Sequence, residues 1–139
     1  MSLRTDFQKI SAKLDGHVAT IELNDPPHNF FSLDLIGEIG DALEAFDLEP
    51  ECRAIVLAAQ GSSFCAGANF TAPDRREEEP GFSPLYSQAA RLIECKTPVV
   101  AAVNGAAIGG GLGLACSADF RVGSSETRMA ANFAQLGFH

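Results

Sequence analysis

Two short stretches, Phe64-Cys-Ala-Gly-Ala-Asn-Phe70 and Asn104-Gly-Ala-Ala-Ile-Gly-Gly-Gly-Leu-Gly113, constrain this chain more than any others. Each follows an apolar run of strand length, Arg53 to Ala59 and Pro98 to Val103. Each then crowds small residues where a larger side chain would cover the backbone. Neither holds a conventional catalytic side chain. What they offer is bare backbone N–H. Two such groups from different loops, aimed at one point, bracket a carbonyl oxygen as it gains negative charge. Gly109, Gly110 and Gly111 sit where a strand feeds a helix, and a helix N-terminus adds unpaired donors and the positive end of a dipole. The same pattern also fits glycines that serve only tight helix–strand packing. Spacing alone leaves both readings open.

The familiar glycine motifs do not apply. A phosphate-cradling loop needs Gly-Lys-Ser/Thr after its glycines, but Gly111 is followed by Leu112. A dinucleotide fingerprint needs a third glycine where Cys116 stands, and an acidic residue beyond it. No Gly-x-Ser-x-Gly elbow occurs.

Hydrophobic periodicity places these segments in an α/β chain. Gly16 to Leu23 alternates, with Ala19, Ile21 and Leu23 on one face, as a half-buried strand does. Asn24-Asp-Pro-Pro-His-Asn29 is a turn. From Ser32 to Leu48 the residues Leu35, Ile36, Ile39, Leu43 and Phe46 follow a helical period, with Ser32 as the N-cap. Thr71 to Gly81 has no period and reads as a surface loop. Ser83-Pro84 opens a helix to about Glu94, with Leu85, Ala89, Leu92 and Ile93 inward. A helix from Ile108 to Cys116, a strand from Ala118 to Val122 and a turn at 123–127 follow. Strands alternating with helices predict α/β architecture in one domain, 1–139. The runs before the two small-residue segments are continuously apolar, as in strands covered on both faces. No clean repeat is visible in the sequence.

Charge and composition exclude several classes. The net charge of −8 argues against a nucleic-acid partner, since phosphate neutralisation needs clustered Lys and Arg. Arg75-Arg76 runs straight into Glu77, Glu78 and Glu79, a solvated charge run. No apolar run has the length of a membrane helix, and the start of the chain lacks a signal-peptide core. Cys52, Cys65, Cys95 and Cys116 form no Cys-x-x-Cys, and apolar neighbours mark Cys65 and Cys116 as reduced core thiols. An intracellular, cytoplasmic protein is expected. His17, His28 and His139 are scattered, so no metal site is expected.

On the paired motifs, the chain resembles the crotonase superfamily, the enoyl-CoA hydratases and isomerases. The resemblance runs from the first strand to the end and corresponds to the N-terminal half of a usual member. It implies a repeated ββα superhelix, truncated relative to the usual family chain. It also implies a homotrimer or hexamer and an acyl-CoA substrate, with coenzyme A as part of that substrate and no separate cofactor. Carried over by position, the oxyanion-hole N–H groups fall on Ala68 and Gly110. Ala66, Gly67, Asn69, Phe70, Gly109, Gly113 and Phe133 would line the acyl site. Pro27, Asn29 and Phe30 would flank the coenzyme A moiety.

The chain also departs from the family pattern. Where family hydratases carry two catalytic glutamates, this sequence has Gly113 and Phe133. A carboxylate pair is what adds water across a double bond, so that device is missing. Among other proton carriers, Asp119 reads as a structural hydrogen-bonder, His28 as a surface residue and Cys65 as an inert buried thiol. Three readings result. One is an enzyme stabilising a thioester enolate by isomerisation, unusual hydration, decarboxylation or hydrolysis. The second is a non-catalytic protein that binds coenzyme A thioesters. The third is a fragment needing a second half.

Overall fold

The computed structural model describes residues 3–68 and 84–132. Its elements follow in the order β1 (Ile10–Asp15), β2 (Val18–Leu23), α1 (Leu33–Asp47), β3 (Ala54–Ala59), β4 (Ser63–Cys65), α2 (Pro84–Ile93), β5 (Val99–Val103), β6 (Ala106–Ile108), α3 (Gly110–Ser117), β7 (Phe120–Gly123) and β8 (Arg128–Ala130). That is a ββα unit repeated three times and followed by a further strand pair. The repeat lies in the geometry; the residues do not repeat.

The first unit is a hairpin, β1 antiparallel to β2 with Ile10 opposite Leu23. From the second unit on, each turn sends its first strand to one sheet and its second strand to another. The larger sheet has the order β1-β2-β3-β5-β7, and the smaller has β4-β6-β8. Apart from the hairpin, all pairings among the described residues are parallel. A parallel neighbour needs a crossover of a dozen residues or more, and here the helices supply it.

α1 forms where expected and for the expected reasons. The Ser32 hydroxyl accepts from the Leu35 N–H at 3.2 Å, and Leu35, Ile36, Ile39, Leu43 and Phe46 are all buried. They pack on Ala19, Ile21 and Leu23, the inward face of β2. The loop into β5 is tied to the end of α1. Asp47 accepts from the Lys96 and Thr97 N–H groups and from the Thr97 hydroxyl at 2.7–2.9 Å.

Several expectations are corrected. β1, β4, β6 and β8 are absent from the periodicity reading; three of them have only three residues, too few to show a period. β3 and β5 alternate between buried and partly exposed positions, so their second faces are only partly covered. Ile93 is exposed, because Leu92 takes the inward position and the next helical residue turns about 100° away. Cys116 is also exposed. α3 is apolar all round, yet it buries only the face carrying Gly111, Leu114 and Ala115. Ser83, the 71–81 loop and its charged run, and His139 lie outside the described residues.

Candidate active site

The two small-residue loops lie side by side because their strands do. β4 and β6 are parallel neighbours, with Cys65 paired to Ala107. Ala68 and Gly110 each stand three residues beyond those partners, off the carboxyl ends of adjacent strands. In parallel sheets that end is where ligands bind.

Backbone interlock explains which glycines are obligatory. Gly67 has φ +86, and a Cβ there would stand 2.7 Å from the Ile108 carbonyl oxygen. A Cβ on Gly111 would clash with the carbonyl oxygen of Cys65, far inside van der Waals contact. Each loop therefore presses a bare Cα against the backbone of the other strand. The packing reading of these glycines holds at 67 and 111. Gly113 differs: it is exposed, with nothing within 4 Å of an added Cβ.

The two candidate donors share one arrangement. The Gly67 carbonyl accepts from the Phe31 N–H at 2.8 Å, and the Gly109 carbonyl accepts from the Gly113 N–H at 3.1 Å. In a planar trans peptide, C=O and the following N–H point in opposite directions. The N–H groups of Ala68 and Gly110 therefore point away from those anchors. Gly109, at φ +55 and ψ −116, turns the chain into α3, and no side chain caps that helix start. The Gly110 N–H is one of its uncapped donors and sits at the positive end of the helix dipole. Ala68 is exposed and Gly110 half-buried. Each loop thus presents a backbone N–H whose peptide is anchored through its carbonyl.

The turn at 24–31 fixes one wall. Pro26–Pro27 is cis, and Pro27 is exposed. Asn29 is fully buried at φ +48. Its amide donates to the carbonyls of Gln60 and Ser63 at 2.8 and 3.0 Å and accepts from the Asp25 N–H at 2.9 Å. The side chain is thus committed to holding this turn against β3 and β4. Phe30 is half-buried, its ring 4.9 Å from the exposed His28 ring. The His28 carbonyl accepts from the Ala66 N–H at 2.9 Å, so this turn runs along the first loop.

Two of the other proton carriers, Cys65 and Asp119, have structural surroundings. Burial pushes the Cys65 thiol up to about 11, so it stays protonated and unreactive at neutral pH. Asp119 accepts from the Val99 N–H at 2.8 Å, as expected of a structural residue. No group of three His, Cys, Asp or Glu side chains that could hold a metal ion occurs among the described residues. Asn69, Phe70 and Phe133 lie outside the described residues. Phe31, at the end of the stretch expected to flank coenzyme A, touches both loops, a contact that no period in the sequence signals. A separate open cleft of about 480 Å³ lies between α1 and α2. Two of its lining cations, Arg4 and Arg91, pair with Asp41.

Residues 13–139 match the family described as Enoyl-CoA hydratase/isomerase. A probable enoyl-CoA hydratase of Mycobacterium tuberculosis, EchA14, is 34% identical over 137 residues, covering 96% of this chain and 54% of that protein. A crotonyl-CoA hydratase of Syntrophomonas wolfei is 34% identical over 140 residues, covering 94% of this chain and 52% of that protein. Among solved structures, an enoyl-CoA hydratase subunit I of Geobacillus kaustophilus superposes with a TM-score of 0.84 at 38% identity, covering 96% of this chain and 53% of that one. The chain spans about half the length of the curated relatives it matches.

Proposed function

The chain belongs to the enoyl-CoA hydratase/isomerase family, and from that premise we propose that it carries the oxyanion-stabilising part of an acyl-CoA thioester enzyme. The Ala68 and Gly110 N–H groups hold the thioester oxygen as an enolate forms. One observation carries the reading: both donors belong to peptides whose carbonyls are tied back into the protein, by Phe31 and by Gly113. Donors fixed before the charge appears need no reorganisation when it does, which is what makes such a site effective.

The acid–base chemistry differs from that of a two-glutamate hydratase. Gly113 stands one helical turn beyond Gly110 and carries no carboxylate, and position 133 is Phe. The enolate-forming step is therefore served by another group, as in isomerisation or decarboxylation; in thioester hydrolysis the same two donors would instead hold the tetrahedral oxyanion formed when water adds to the carbonyl. A homotrimeric or hexameric assembly acting in the cytoplasm belongs to the same proposal.

Turnover of a panel of acyl-CoA thioesters by the full-length protein tests it, read beside Gly110→Val. A Cβ at 110 would meet the Phe31 ring at 2.7 Å and displace the donor. Loss of one such donor typically costs about 100- to 1,000-fold in kcat. Thioester binding by calorimetry without turnover of any panel member would instead favour the non-catalytic reading.

A further inference from the structure

The segment that crosses in front of both loops is 28–31, and it is fastened to each. The Ala66 N–H donates to the His28 carbonyl at 2.9 Å, and the Phe31 N–H donates to the Gly67 carbonyl at 2.8 Å. Those bonds clamp it to the first loop. Its contact with the second is the Phe31 ring. A Cβ built on Gly110 would stand 2.7 Å from the ring's Cγ and 2.8 Å from its Cδ1, so the ring lies flat against the bare Cα. One residue thus touches both donor peptides, the first through its backbone and the second through its side chain.

Phe31 is itself held on both sides. Before it, the buried Asn29 amide bonds the carbonyls of Gln60 and Ser63. After it, Ser32 caps α1. The ring packs against the hydrophobic core and is partly exposed. Two donors stabilise one oxygen only when their separation is held to within about 0.5 Å. Strand pairing of β4 with β6 ends at Cys65 and Ala107, short of both donors. Beyond that point the backbone contacts of Gly67 with Ile108 and of Gly111 with Cys65 hold the loops together, and the Phe31 ring on Gly110 is the side chain that bears on a donor residue itself.

We propose that Phe31 is the positioning residue that sets the spacing between the Ala68 and Gly110 N–H groups, which rests on the oxyanion role given to those groups above. The Phe31 N–H orients and polarises the peptide that ends in Ala68. Its ring is a rigid spacer on the Cα of Gly110. Gly110 is then required for a second reason: any side chain there would push the spacer out.

The test compares the full-length protein with Phe31→Leu and Phe31→Ala, which keep the backbone N–H and shorten the spacer. A chromophoric α,β-unsaturated acyl-CoA thioester is the probe, since polarisation of its carbonyl moves its absorbance to longer wavelength. The parent is expected to show the shift, Phe31→Leu less and Phe31→Ala least, at equal bound fraction. For any thioester the parent turns over, kcat should fall about 10- to 100-fold in Phe31→Ala with KM little changed, and Phe31→Leu should recover part of it. Melting curves taken alongside show whether each variant is folded at the assay temperature. A full shift in both folded variants overturns the role of Phe31 and leaves the oxyanion reading standing. A parent that binds the thioester without any shift overturns the oxyanion reading instead. The spacer role is then decided on the free protein by the amide resonances of Ala68 and Gly110. Both must move together in Phe31→Leu, and movement of Gly110 alone overturns it.

Discussion

Gly111 and Cys65 meet backbone to backbone: a Cβ on the first would clash with the carbonyl oxygen of the second. This is where α3 rests on β4, and it holds the two candidate donor loops side by side. Because the obstacle is backbone, no rotamer change relieves it. Gly111→Ala is therefore expected to cost about 3 kcal/mol or more, at the upper end of overpacking penalties. Gly113 sits in the same helix with open space around it, so Gly113→Ala should stabilise by about 0.5–1 kcal/mol through helix propensity. Denaturant unfolding of the two variants measures the contrast, and equal effects would rule out the interlock.

The elements legible in the sequence are those long enough to carry a period. α1 could be read because its buried residues recur at helical spacing behind a serine cap, and β2 because Ala19, Ile21 and Leu23 alternate. The smaller sheet could not. β4, β6 and β8 have three residues each, and their pairing is set by which turn of the repeat they fall in. Both donor loops were found because bare backbone must be written as glycine and alanine. The contact of Phe31 with both loops was not legible, since a phenylalanine after a turn looks the same whether it fills core or spaces two loops. The structural part of Asn29 was not legible either: only its complete burial shows that its amide is committed to Gln60 and Ser63.

The open position at Gly113 gives the proposed chemistry a direct trial. Residues three apart share a helix face, so a side chain at 113 projects on the same side as Gly110. Gly113 is exposed and unobstructed, so Gly113→Glu should fold. It restores one carboxylate of the hydratase pair, and a positioned general acid or base contributes about 100-fold or more. Water addition to a short enoyl-CoA, followed by loss of the conjugated thioester absorbance, should rise about 10-fold or more over the parent, allowing for imperfect placement and the absent second carboxylate. Unchanged hydration by a variant that still binds the thioester would show that the carboxylate at 113 is not what limits it.

Arg91 ties α2 to α1 and makes that contact sensitive to acid. Its guanidinium lies across the bare Cα of Gly40, where an added Cβ would stand 2.8 Å from its Cζ. It donates to both Glu44 carboxylate oxygens at 2.7 and 2.8 Å and to Asp41 at 2.7 Å. Arg4 donates to the other Asp41 oxygen at 2.7 Å. The Arg91 hydrogen bonds hold Glu44 below its ordinary range against a smaller opposing effect of burial. Burial pushes Asp41 upward, yet its bonds to Arg91 and Arg4 together carry it lower on balance. A carboxylate lowered on folding stabilises the protein above its unfolded pKa and ceases to do so as pH falls through the folded value. Arg91→Met keeps the apolar stem over Gly40 and removes the bonds. Both carboxylates are partly exposed, so the difference from the parent at pH near 7 should be only on the order of 1 kcal/mol. As the pH falls from the ordinary carboxylate range, around pH 4, toward 3, that difference should shrink. Unfolding free energies of parent and variant at several pH values measure it, and a gap that stays constant into acid would mean that Arg91 holds the helices by packing alone.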